Sequence, residues 1–265
     1  MKRLIQISDT HIVVPPNLVS DRLNTAHLLE RAVERIEQVV VKTGPVAGIL
    51  VTGDITDDGA AESFALFRKL IEPLALPMLV IPGNHDRRET LREAFADLEW
   101  MPETGPLNWT HDLPGLRVIG IDTLVEGKGG GEVDRATLDF LGNALDGGTD
   151  EPALVALHHP PFVSGLPFMD RISLANPKAL SEVLRRSQRD IHLACGHIHS
   201  VITATVGGAS AISAPAICST FDLDFRNEAP TGFMDNAGGF LLHDWTDGFR
   251  SYVMPLTAGI GPYPF

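Results

Sequence analysis

Residues 191–200, IHLACGHIHS, show how this chain combines its strands with its polar side chains. The apolar run Ile191–Cys195 ends at a glycine, and histidines follow at positions 197 and 199. Short apolar runs bounded by glycine are typical of strands that are buried on both faces. Because His197 and His199 lie two residues apart, just beyond such a strand, we predict that both side chains help to hold a ligand.

The same arrangement, a buried strand followed at once by polar side chains, occurs elsewhere in the sequence. The predicted strands are residues 4–8, 46–52, 77–82, 153–158 and 191–195. The polar residues at their ends are Asp9 and His11, Asp54 and Asp57, Asn84, His85 and Asp86, His158 and His159, and His197 and His199. Buried Asp and His destabilise a fold unless they are paired or bind a ligand. Their recurrence at strand ends therefore predicts a metal site.

The order of the predicted elements indicates an α/β fold. In the first half, strands alternate with amphipathic helices at residues 24–43, 60–74 and 89–98. This βαβαβα order predicts a largely parallel sheet between helices. Carboxyl ends of parallel strands are where such sheets build ligand sites, so the polar residues are expected to meet at one edge.

The second half has a looser rhythm. Strands at 116–121 and 153–158 flank a helix at 134–145, and Asn176-Pro177 is predicted to cap a helix that ends at Arg186. The tail shows four short segments, 201–206, 209–214, 239–245 and 250–255, which predict antiparallel strands without helices. No linker interrupts the chain, so a single domain over residues 1–265 is expected, with 201–265 as its antiparallel part.

Charge and composition exclude several classes of function. The net charge of −13 and the pI of about 5.1 argue against a nucleic-acid polymer or an anionic membrane as partner. No apolar run approaches the length of about 20 residues that a membrane span needs. Two cysteines in 265 residues do not form a disulfide framework. We expect a cytoplasmic protein.

The number and type of the ligands predict two metal ions. The sequence offers seven ligand side chains, which is too many for one ion with an open position. Two ions about 3.5–4 Å apart that share a carboxylate fit this number. Asp54 is the expected bridge, because its strand lies beside the first and the third. Imidazole, carboxylate and amide ligands favour Mn²⁺, Fe²⁺/Fe³⁺, Co²⁺ or Zn²⁺. The predicted ligands are Asp9, His11, Asp54, Asn84, His158, His197 and His199.

The series D-x-H, G-D-x-x-D, G-N-H-D, H-H-P-P and G-H-x-H resembles the motifs of the calcineurin-like metallophosphoesterase superfamily. The HHPP form and the tail ISAPAICSTFDLDF, followed by GGFLLHDW, are similar to bacterial class III cyclic-nucleotide phosphodiesterases and to glycerophosphodiesterases. The resemblance implies a four-layer α-β-β-α sandwich of mixed sheets with helices outside. It also implies a dinuclear metal site at the carboxyl ends of the strands.

The resemblance further implies a division of the ligands between the two ions. The first ion would take Asp9, His11, Asp54 and His199, and the second Asp54, Asn84, His158 and His197. His159 and Asp86 are expected to hold the ligand residues in position without binding a metal ion themselves. Asp57 has no ligand role in the superfamily and is expected to cap a helix.

His85 is the predicted catalytic residue. It follows the ligand Asn84 directly, so it points near the metals without being needed as a ligand. We expect it to act as general acid on the leaving oxygen, or to donate a hydrogen bond to the phosphate oxygens. Asn84 and His85 are therefore also the predicted substrate-binding residues.

The predicted function is the hydrolysis of small phosphodiesters, either 3′,5′-cyclic nucleotides or glycerophosphodiesters, by in-line attack of a metal-bound hydroxide. A phosphomonoesterase or protein phosphatase is the alternative, and a non-catalytic scaffold is a more distant one. A DNA exonuclease is disfavoured by the charge of −13. The partner is expected to be a small-molecule diester. We also expect a homo-oligomer, a dimer or larger; the apolar end at residues 256–265 is compatible with a contact between subunits and also with packing across its own domain.

Overall fold

The computed structural model describes residues 2–147, 151–236, 238–260 and 263–264. Its strands form two mixed sheets, one of five strands in the order β11-β10-β1-β2-β3 and one of six in the order β4-β5-β6-β7-β9-β8. The strands are β1 Arg3–Ile7, β2 Ile49–Thr52, β3 Met78–Ile81, β4 Trp109–Leu113, β5 Leu116–Gly120, β6 Ala153–Leu157, β7 Ile191–Cys195, β8 Thr203–Val206, β9 Ala209–Ser213, β10 Gly239–Asp244 and β11 Arg250–Pro255. The helices are α1 Thr25–Thr43, α2 Ala61–Ile71, α3 Arg88–Ala94, α4 Arg135–Asp146, α5 Pro167–Asp170 and α6 Pro177–Arg186.

Three apolar clusters define four layers. One lies between the five-stranded sheet and helices α1–α3 and includes Ile5 and Phe64. A second lies between the six-stranded sheet and helices α4 and α6 and includes Val155 and Leu141. The third fills the space between the sheets, where Leu4, Leu50, Leu79, Leu154 and Ala194 are buried. Because successive residues of a strand face opposite sides, each central strand serves an outer and an inner core. The four-layer α-β-β-α sandwich is thus confirmed.

The largely parallel sheet expected from the first half is confirmed for β1, β2 and β3, but helices cover only one face of this sheet, because its other face packs on the six-stranded sheet. Strands β1, β2 and β3 pair in parallel, as do β5, β6, β7 and β9, but the two sets belong to different sheets. The alternation of strands and helices does not record where the chain leaves one sheet for the other. Strand β4 and the short helix α5 were not predicted, since β4 (WTHDL) carries polar residues within an exposed edge strand.

The tail is antiparallel in part and divided between the sheets. Strands β8 and β9 pair antiparallel, and β10 pairs antiparallel with both β1 and β11. Strand β9, however, runs parallel to β7. The tail therefore completes both sheets. Residues 261, 262 and 265 of the C-terminal segment 256–265 lie outside the described residues, and the oligomeric state stays a prediction.

Two helix starts show how local sequence sets the boundaries. Asn24 caps α1 by accepting a hydrogen bond from the His27 N–H at 3.1 Å, as its residue type predicts. Asn176 precedes α6, which begins at Pro177, but makes no side-chain cap. Its side chain instead bonds the backbone of Val133 in both directions, which attaches the helix to the loop before α4. No helix in the described ranges is long and apolar enough to cross a membrane.

Candidate metal centre

The loops after β1, β2, β6 and β7 are connected by backbone hydrogen bonds. Asp9 N–H donates to the Gly53 carbonyl at 3.1 Å, and His11 N–H donates to the Asp54 carbonyl at 2.9 Å. Gly196 N–H donates to the His158 carbonyl at 3.0 Å, which connects the two loops of the six-stranded sheet. The His197 N–H also donates to the Asp9 carboxylate at 3.1 Å, so the loops of the two sheets meet at one place.

The carboxylates of Asp9 and Asp54 lie among the histidines. Asp54 Oδ2 is 3.5 Å from His11 Nε2 and 3.4 Å from His158 Nε2. Asp9 Oδ1 is 3.5 Å from His199 Nε2. Each of these side chains is at least nine-tenths buried, so the charges face one another rather than water. Asp54 is thus the carboxylate between two imidazoles, as expected for a bridging ligand.

Every ligand histidine has one nitrogen occupied by a partner on its far side. His158 Nδ1–H donates to the Thr52 carbonyl at 2.7 Å, and His197 Nε2–H to the Ile172 carbonyl at 3.0 Å. His199 Nδ1–H donates to the Ser219 carbonyl at 3.1 Å. Such outer hydrogen bonds fix the tautomer and the orientation of a metal-binding imidazole. The far-side bond occupies one nitrogen of each ring and not the other; in His158 the other nitrogen, Nε2, lies 3.4 Å from Asp54 Oδ2 and 3.2 Å from Asn84 Oδ1.

His11 gives the most direct test of whether these residues suit a cation. Its Nδ1–H donates to Asp57 Oδ1 at 2.9 Å, while its Nε2 is a buried atom without a hydrogen-bond partner among the described residues. A buried polar atom without a partner is destabilising and rare in folded proteins. One nitrogen of His11 and the nearest oxygens of Asp9 and Asp54 all lie within 4.8 Å of one another. The donor set therefore fits a metal ion.

The backbone is strained at the predicted ligands. Positive φ angles occur at Asp9 (53°), His11 (45°), Asp54 (47°), His197 (72°) and His199 (47°). Side chains other than glycine rarely adopt this region, and such strain is concentrated at functional sites. The conformations are retained because the surrounding hydrogen bonds determine them.

Glycines of the motifs permit close approach of the loops. A Cβ atom on Gly83 would lie 2.2 Å from Asp54 Oδ1, and one on Gly53 would lie 2.5 Å from His158 Nδ1. At Gly196 it would lie 2.2 Å from Ser8 Oγ. These spaces are too small for any side chain, so the ligand loops require glycine at these positions.

Asn84 and His85 lie on the loop after β3. Asn84 Oδ1 is 3.2 Å from His158 Nε2, which places its amide oxygen with the ligands. His85 N–H donates to Asp54 Oδ1 at 2.8 Å, and the imidazole Nδ1 lies 3.1 Å from the Asp57 carbonyl and 3.3 Å from Asp57 Oδ1. The His85 side chain is 41% exposed, so it is accessible from outside while Asn84 holds its position inside.

Asp86 and His159 support the loops. Asp86 accepts hydrogen bonds from the backbone N–H groups of Ile55, Thr56 and Gly83, so one buried carboxylate connects the loops after β2 and β3. His159 has both nitrogens occupied, by Thr123 Oγ1 at 2.8 Å and the Gly129 carbonyl at 3.1 Å. Neither residue has an atom left over for a metal ligand role.

The pKa shifts reflect the pairing of these charges. Burial would raise the pKa of Asp54, but the charge and hydrogen bond of His158 lower it well below its usual range. Burial opposes a charge on His158, yet Asp54 raises its pKa to about 9. Burial, together with the charge of His158, lowers the pKa of His197 to about 3, so its imidazole is neutral. Asp54 is therefore ionised and His197 has a lone pair for a cation.

Three residues beside the site were missed or misread from the sequence. Asp57 does not cap a helix, since its carboxylate contacts Nδ1 of both His11 and His85. The adjacent Asp58 accepts a hydrogen bond from the Ala60 N–H at 3.0 Å instead. Phe221 stacks on His199, with ring centroids 4.4 Å apart and planes 13° apart. Cys218 is buried, and its sulfur lies 3.9 Å from His199 Nδ1. Their partners are distant in sequence, so no local pattern indicated them.

Comparison with known proteins gives the family. The model of the Calcineurin-like phosphoesterase family matches residues 2–201. A probable glycerophosphodiester phosphodiesterase GpdQ of Arcobacter nitrofigilis is 32% identical over 266 residues, 99% of this chain and 96% of that protein. The 3′,5′-cyclic adenosine monophosphate phosphodiesterase CpdA of Pseudomonas aeruginosa is 34% identical over 221 residues, 82% of this chain and 77% of that protein.

The fold is also found among solved structures. A dimetal phosphatase from Danio rerio superposes with a TM-score of 0.66 at 16% identity, over 96% of this chain and 99% of that one. That likeness concerns the fold alone. Taken with the family match over residues 2–201 and the relatives at 32% and 34% identity, it follows that the chain belongs to the calcineurin-like phosphoesterase family and is a hydrolase, a phosphodiesterase.

Proposed function

We propose that the chain is a dinuclear metal-dependent phosphodiesterase that hydrolyses small diesters, with 3′,5′-cyclic nucleotides as the first candidate. The position of Asp54 carries this proposal: its carboxylate lies between His11 and His158, 3.5 and 3.4 Å from their Nε2 atoms. A carboxylate with an imidazole on either side is suited to bridge two cations.

The remaining ligands divide about Asp54. Asp9, His11 and His199 would complete one cation site, and Asn84, His158 and His197 the other. Imidazole nitrogens with carboxylate and amide oxygens suit Mn²⁺, Fe²⁺/Fe³⁺, Co²⁺ or Zn²⁺, and supply decides among them as much as affinity does. When bound, a pair of such cations supplies an activated water and neutralises negative charge on the phosphoryl oxygens.

The chain's own part in the chemistry is to position the phosphoryl group and to provide a proton. Burial opposes a charge on His85, but its hydrogen bond to Asp57 and the charges of Asp54 and Asp57 raise its pKa to about 10. Asp57 holds Nδ1, so Nε2 carries the proton available for the leaving oxygen or for a phosphoryl oxygen. Asn84 has an amide N–H₂ that can donate to the same oxygens.

The charges near the site favour a diester over a monoester. Arg88, which follows the third motif, is held by Asp122, with Nε 2.6 Å and Nη2 3.2 Å from its carboxylate oxygens. The Arg88 guanidinium is therefore already paired with a carboxylate and does not supply a free cation for the second negative charge of a phosphomonoester. A diester has one negative charge and needs no such additional cation.

Apolar surface beside the site suits an organic group. Phe168 contacts the edge of Phe221, with centroids 5.1 Å apart, and Phe225 and Leu223 are 64% and 57% exposed. An aromatic wall of this kind can contact a nucleobase by stacking. The relative named CpdA accords with this choice. The second candidate, a glycerophosphodiester, is favoured by the end-to-end similarity to the relative named GpdQ.

The test is a comparison of kcat/KM for cyclic AMP, a glycerophosphodiester and a phosphomonoester, with protein reconstituted with Mn²⁺. A tenfold preference corresponds to about 1.4 kcal/mol of transition-state discrimination. Preference for cyclic AMP supports the first candidate, and preference for the glycerol diester supports the second. Hydrolysis of the monoester alone would contradict the diesterase proposal, and an absence of both metal and activity would support a scaffold. The cytoplasmic location and homo-oligomeric state stay predictions, to be checked by fractionation and light scattering.

A further inference from the structure

A second polar cluster lies between the two sheets, buried at Gln6, Thr52, His192 and His243 and reaching the surface at its serines, and most of it is remote from the ligand loops. Its members come from six strands and are Gln6 (β1), Thr52 (β2), His192 (β7), Ser210 (β9), His243 (β10) and Ser251 (β11). We call them the inter-sheet hydrogen-bond chain. The side chains of Gln6, Thr52 and His243 belong to residues that are 0% exposed, and His192 is 6% exposed. A buried group of this size needs a partner for each polar atom.

The direction of each hydrogen bond in this chain follows from Gln6. Its Nε2 lies 2.9 Å from the Cys195 carbonyl and 2.9 Å from Thr52 Oγ1, so the amide nitrogen donates to both. Its Oε1 must then accept, and His243 Nε2–H donates to it at 2.9 Å. The His243 ring is neutral, with burial lowering its pKa to about 3.

The inter-sheet hydrogen-bond chain continues from the other nitrogen of the His243 ring. His243 Nδ1 accepts from the Ser251 hydroxyl at 2.8 Å, and Ser251 Oγ accepts from His192 Nε2–H at 3.3 Å. His192 Nδ1 in turn accepts from the Ser210 hydroxyl at 2.7 Å. Four strands beyond β1 and β2 are thus connected to one amide, and each imidazole has both nitrogens bonded.

The inner end of this chain meets the ligand loops. Thr52, whose hydroxyl accepts from Gln6, offers its carbonyl to His158 Nδ1 at 2.7 Å and to the Ser8 hydroxyl at 3.2 Å. Cys195, whose carbonyl accepts from Gln6, is two residues before His197. Gln6 itself is three residues before Asp9. One side chain therefore bonds the ends of the strands that carry ligands in both sheets.

The predicted dinuclear site needs such a connection, because its ligands come from different sheets. Asp9, His11, Asp54 and Asn84 follow strands of the five-stranded sheet, whereas His158, His197 and His199 follow strands of the six-stranded sheet. A metal site must hold its ligands within about 0.5 Å of the productive geometry. Apolar packing between sheets is not directional, whereas hydrogen bonds fix register as well as distance.

We propose that Gln6 is a positioning residue, which fixes the offset between the two sheets and thereby the spacing of the two sets of metal ligands. This inference rests on the proposed dinuclear function. It assigns to Gln6 and its hydrogen-bond chain a role in metal affinity, although none of the chain's side chains reaches a cation. Mn²⁺ binding by the wild type and by variants of Gln6 separates the two proposals.

The experiment measures Mn²⁺ binding to metal-free protein by titration calorimetry, for the wild type and three variants. Gln6→Met keeps the length of the side chain but removes its hydrogen bonds. Gln38→Met is the matched control, since Gln38 is an exposed glutamine on α1. Leu154→Ala removes an inter-sheet apolar contact and so controls for lost stability alone. Unfolding midpoints are recorded for all of them.

We expect Gln6→Met to bind Mn²⁺ about 10–100-fold more weakly, the range that outer partners of metal ligands contribute. Gln38→Met and Leu154→Ala should stay within about twofold of the wild type, a difference smaller than one hydrogen bond produces. Equal affinities of Gln6→Met and the wild type, or an equal loss in Leu154→Ala, would overturn the inference. Wild-type protein that binds no Mn²⁺ would overturn the dinuclear function itself.

A second variant covers the case in which Gln6→Met does not fold. Ser251→Ala interrupts the chain between His192 and His243 at the accessible edge strand β11, far from any ligand. We expect Mn²⁺ affinity to fall about fivefold, the factor that corresponds to one neutral hydrogen bond. A Mn²⁺ affinity equal to that of the wild type would show that the inter-sheet hydrogen-bond chain has no influence on the metal site.

Discussion

Two groups of buried histidines in this protein are built on opposite rules. Among the predicted ligands, His11, His158 and His199 each have one nitrogen bonded on the far side and the other 3.4–3.5 Å from a carboxylate oxygen, and His11 Nε2 has no hydrogen-bond partner among the described residues. In the inter-sheet hydrogen-bond chain, His192 and His243 have both nitrogens bonded. Burial is similar in the two groups, so burial does not distinguish them.

The difference teaches how to separate a ligand histidine from a structural one. A histidine that supports the fold satisfies both nitrogens within the chain, because an unpaired polar atom is destabilising. A histidine that binds a cation has one nitrogen that is not bonded for the sake of the fold. It can also lie on strained backbone, as His11, His197 and His199 do. Backbone strain of this kind does not occur at His192 or His243, which lie within regular strands.

The largest effect is expected at Asp54, the carboxylate common to both predicted ion sites. Asp54→Asn keeps the shape but removes the charge, so kcat/KM should fall by about three decades or more, since metal catalysis supplies several kcal/mol. Steady-state kinetics and Mn²⁺ titration measure this loss. Full activity with two ions still bound would contradict the role of Asp54 as a bridge.

The next largest effect is expected at His85. His85→Asn removes the proton donor while leaving the ligands in place, so kcat should fall about 100-fold with Mn²⁺ binding unchanged. The exposed histidine of α1 provides the matched control, and His27→Asn should retain wild-type kinetics. A parallel loss of metal in His85→Asn would instead assign His85 to the ligand set.

Acid should destabilise the fold through the inter-sheet histidines. Burial lowers the pKa of His192 to about 4, and burial with the charge of His192 lowers that of His243 to about 3. Below the ordinary pKa of about 6.5, the unfolded chain binds protons that the folded chain excludes, so stability falls with falling pH. Each histidine should contribute a loss of about 2 kcal/mol between pH 7 and pH 5.

This pH effect is measured on metal-free protein by urea unfolding at both pH values. His243→Gln removes one of the two groups, so its loss between pH 7 and pH 5 should be smaller than that of the wild type by about 2 kcal/mol. His27→Gln, at an exposed position, is the control. An unchanged loss in His243→Gln would mean that this histidine is already protonated in the fold.

The smallest effect is expected at Asp57, which touches no predicted cation but holds His11 at 2.9 Å and His85 at 3.3 Å. Asp57→Asn keeps one acceptor oxygen, so Mn²⁺ affinity should fall about 10-fold. The neighbouring Asp58 accepts from the Ala60 N–H and from the Ser63 hydroxyl with different oxygens, so Asp58→Asn removes one of these two acceptors and should lower the unfolding midpoint without weakening metal binding. Identical metal affinities in the two variants would remove Asp57 from the site.

Local sequence patterns predicted many of the helices and strands but missed the contacts between residues that are far apart in the sequence. The helix α1 and the strand Ile191–Cys195 lie where the apolar periodicity places them. The parallel pairing of β1, β2 and β3 was confirmed, but the expected helices on both faces of that sheet were wrong, because a β-α repeat does not specify that a second sheet covers one face. The role of Asp57 was also missed, since its partner His11 is 46 residues away.

The sequence by itself determined the candidate ligands and their order, because each closely follows a short apolar strand, and a glycine stands directly before Asp54, Asn84 and His197. It also determined the family, through motifs that span residues 9–199. Only the tertiary structure decided how the ligands divide between two sheets and which atoms support them. Gln6 and His243, which are 237 residues apart, meet only because β1 and β10 pair, and no local pattern of residues encodes that contact.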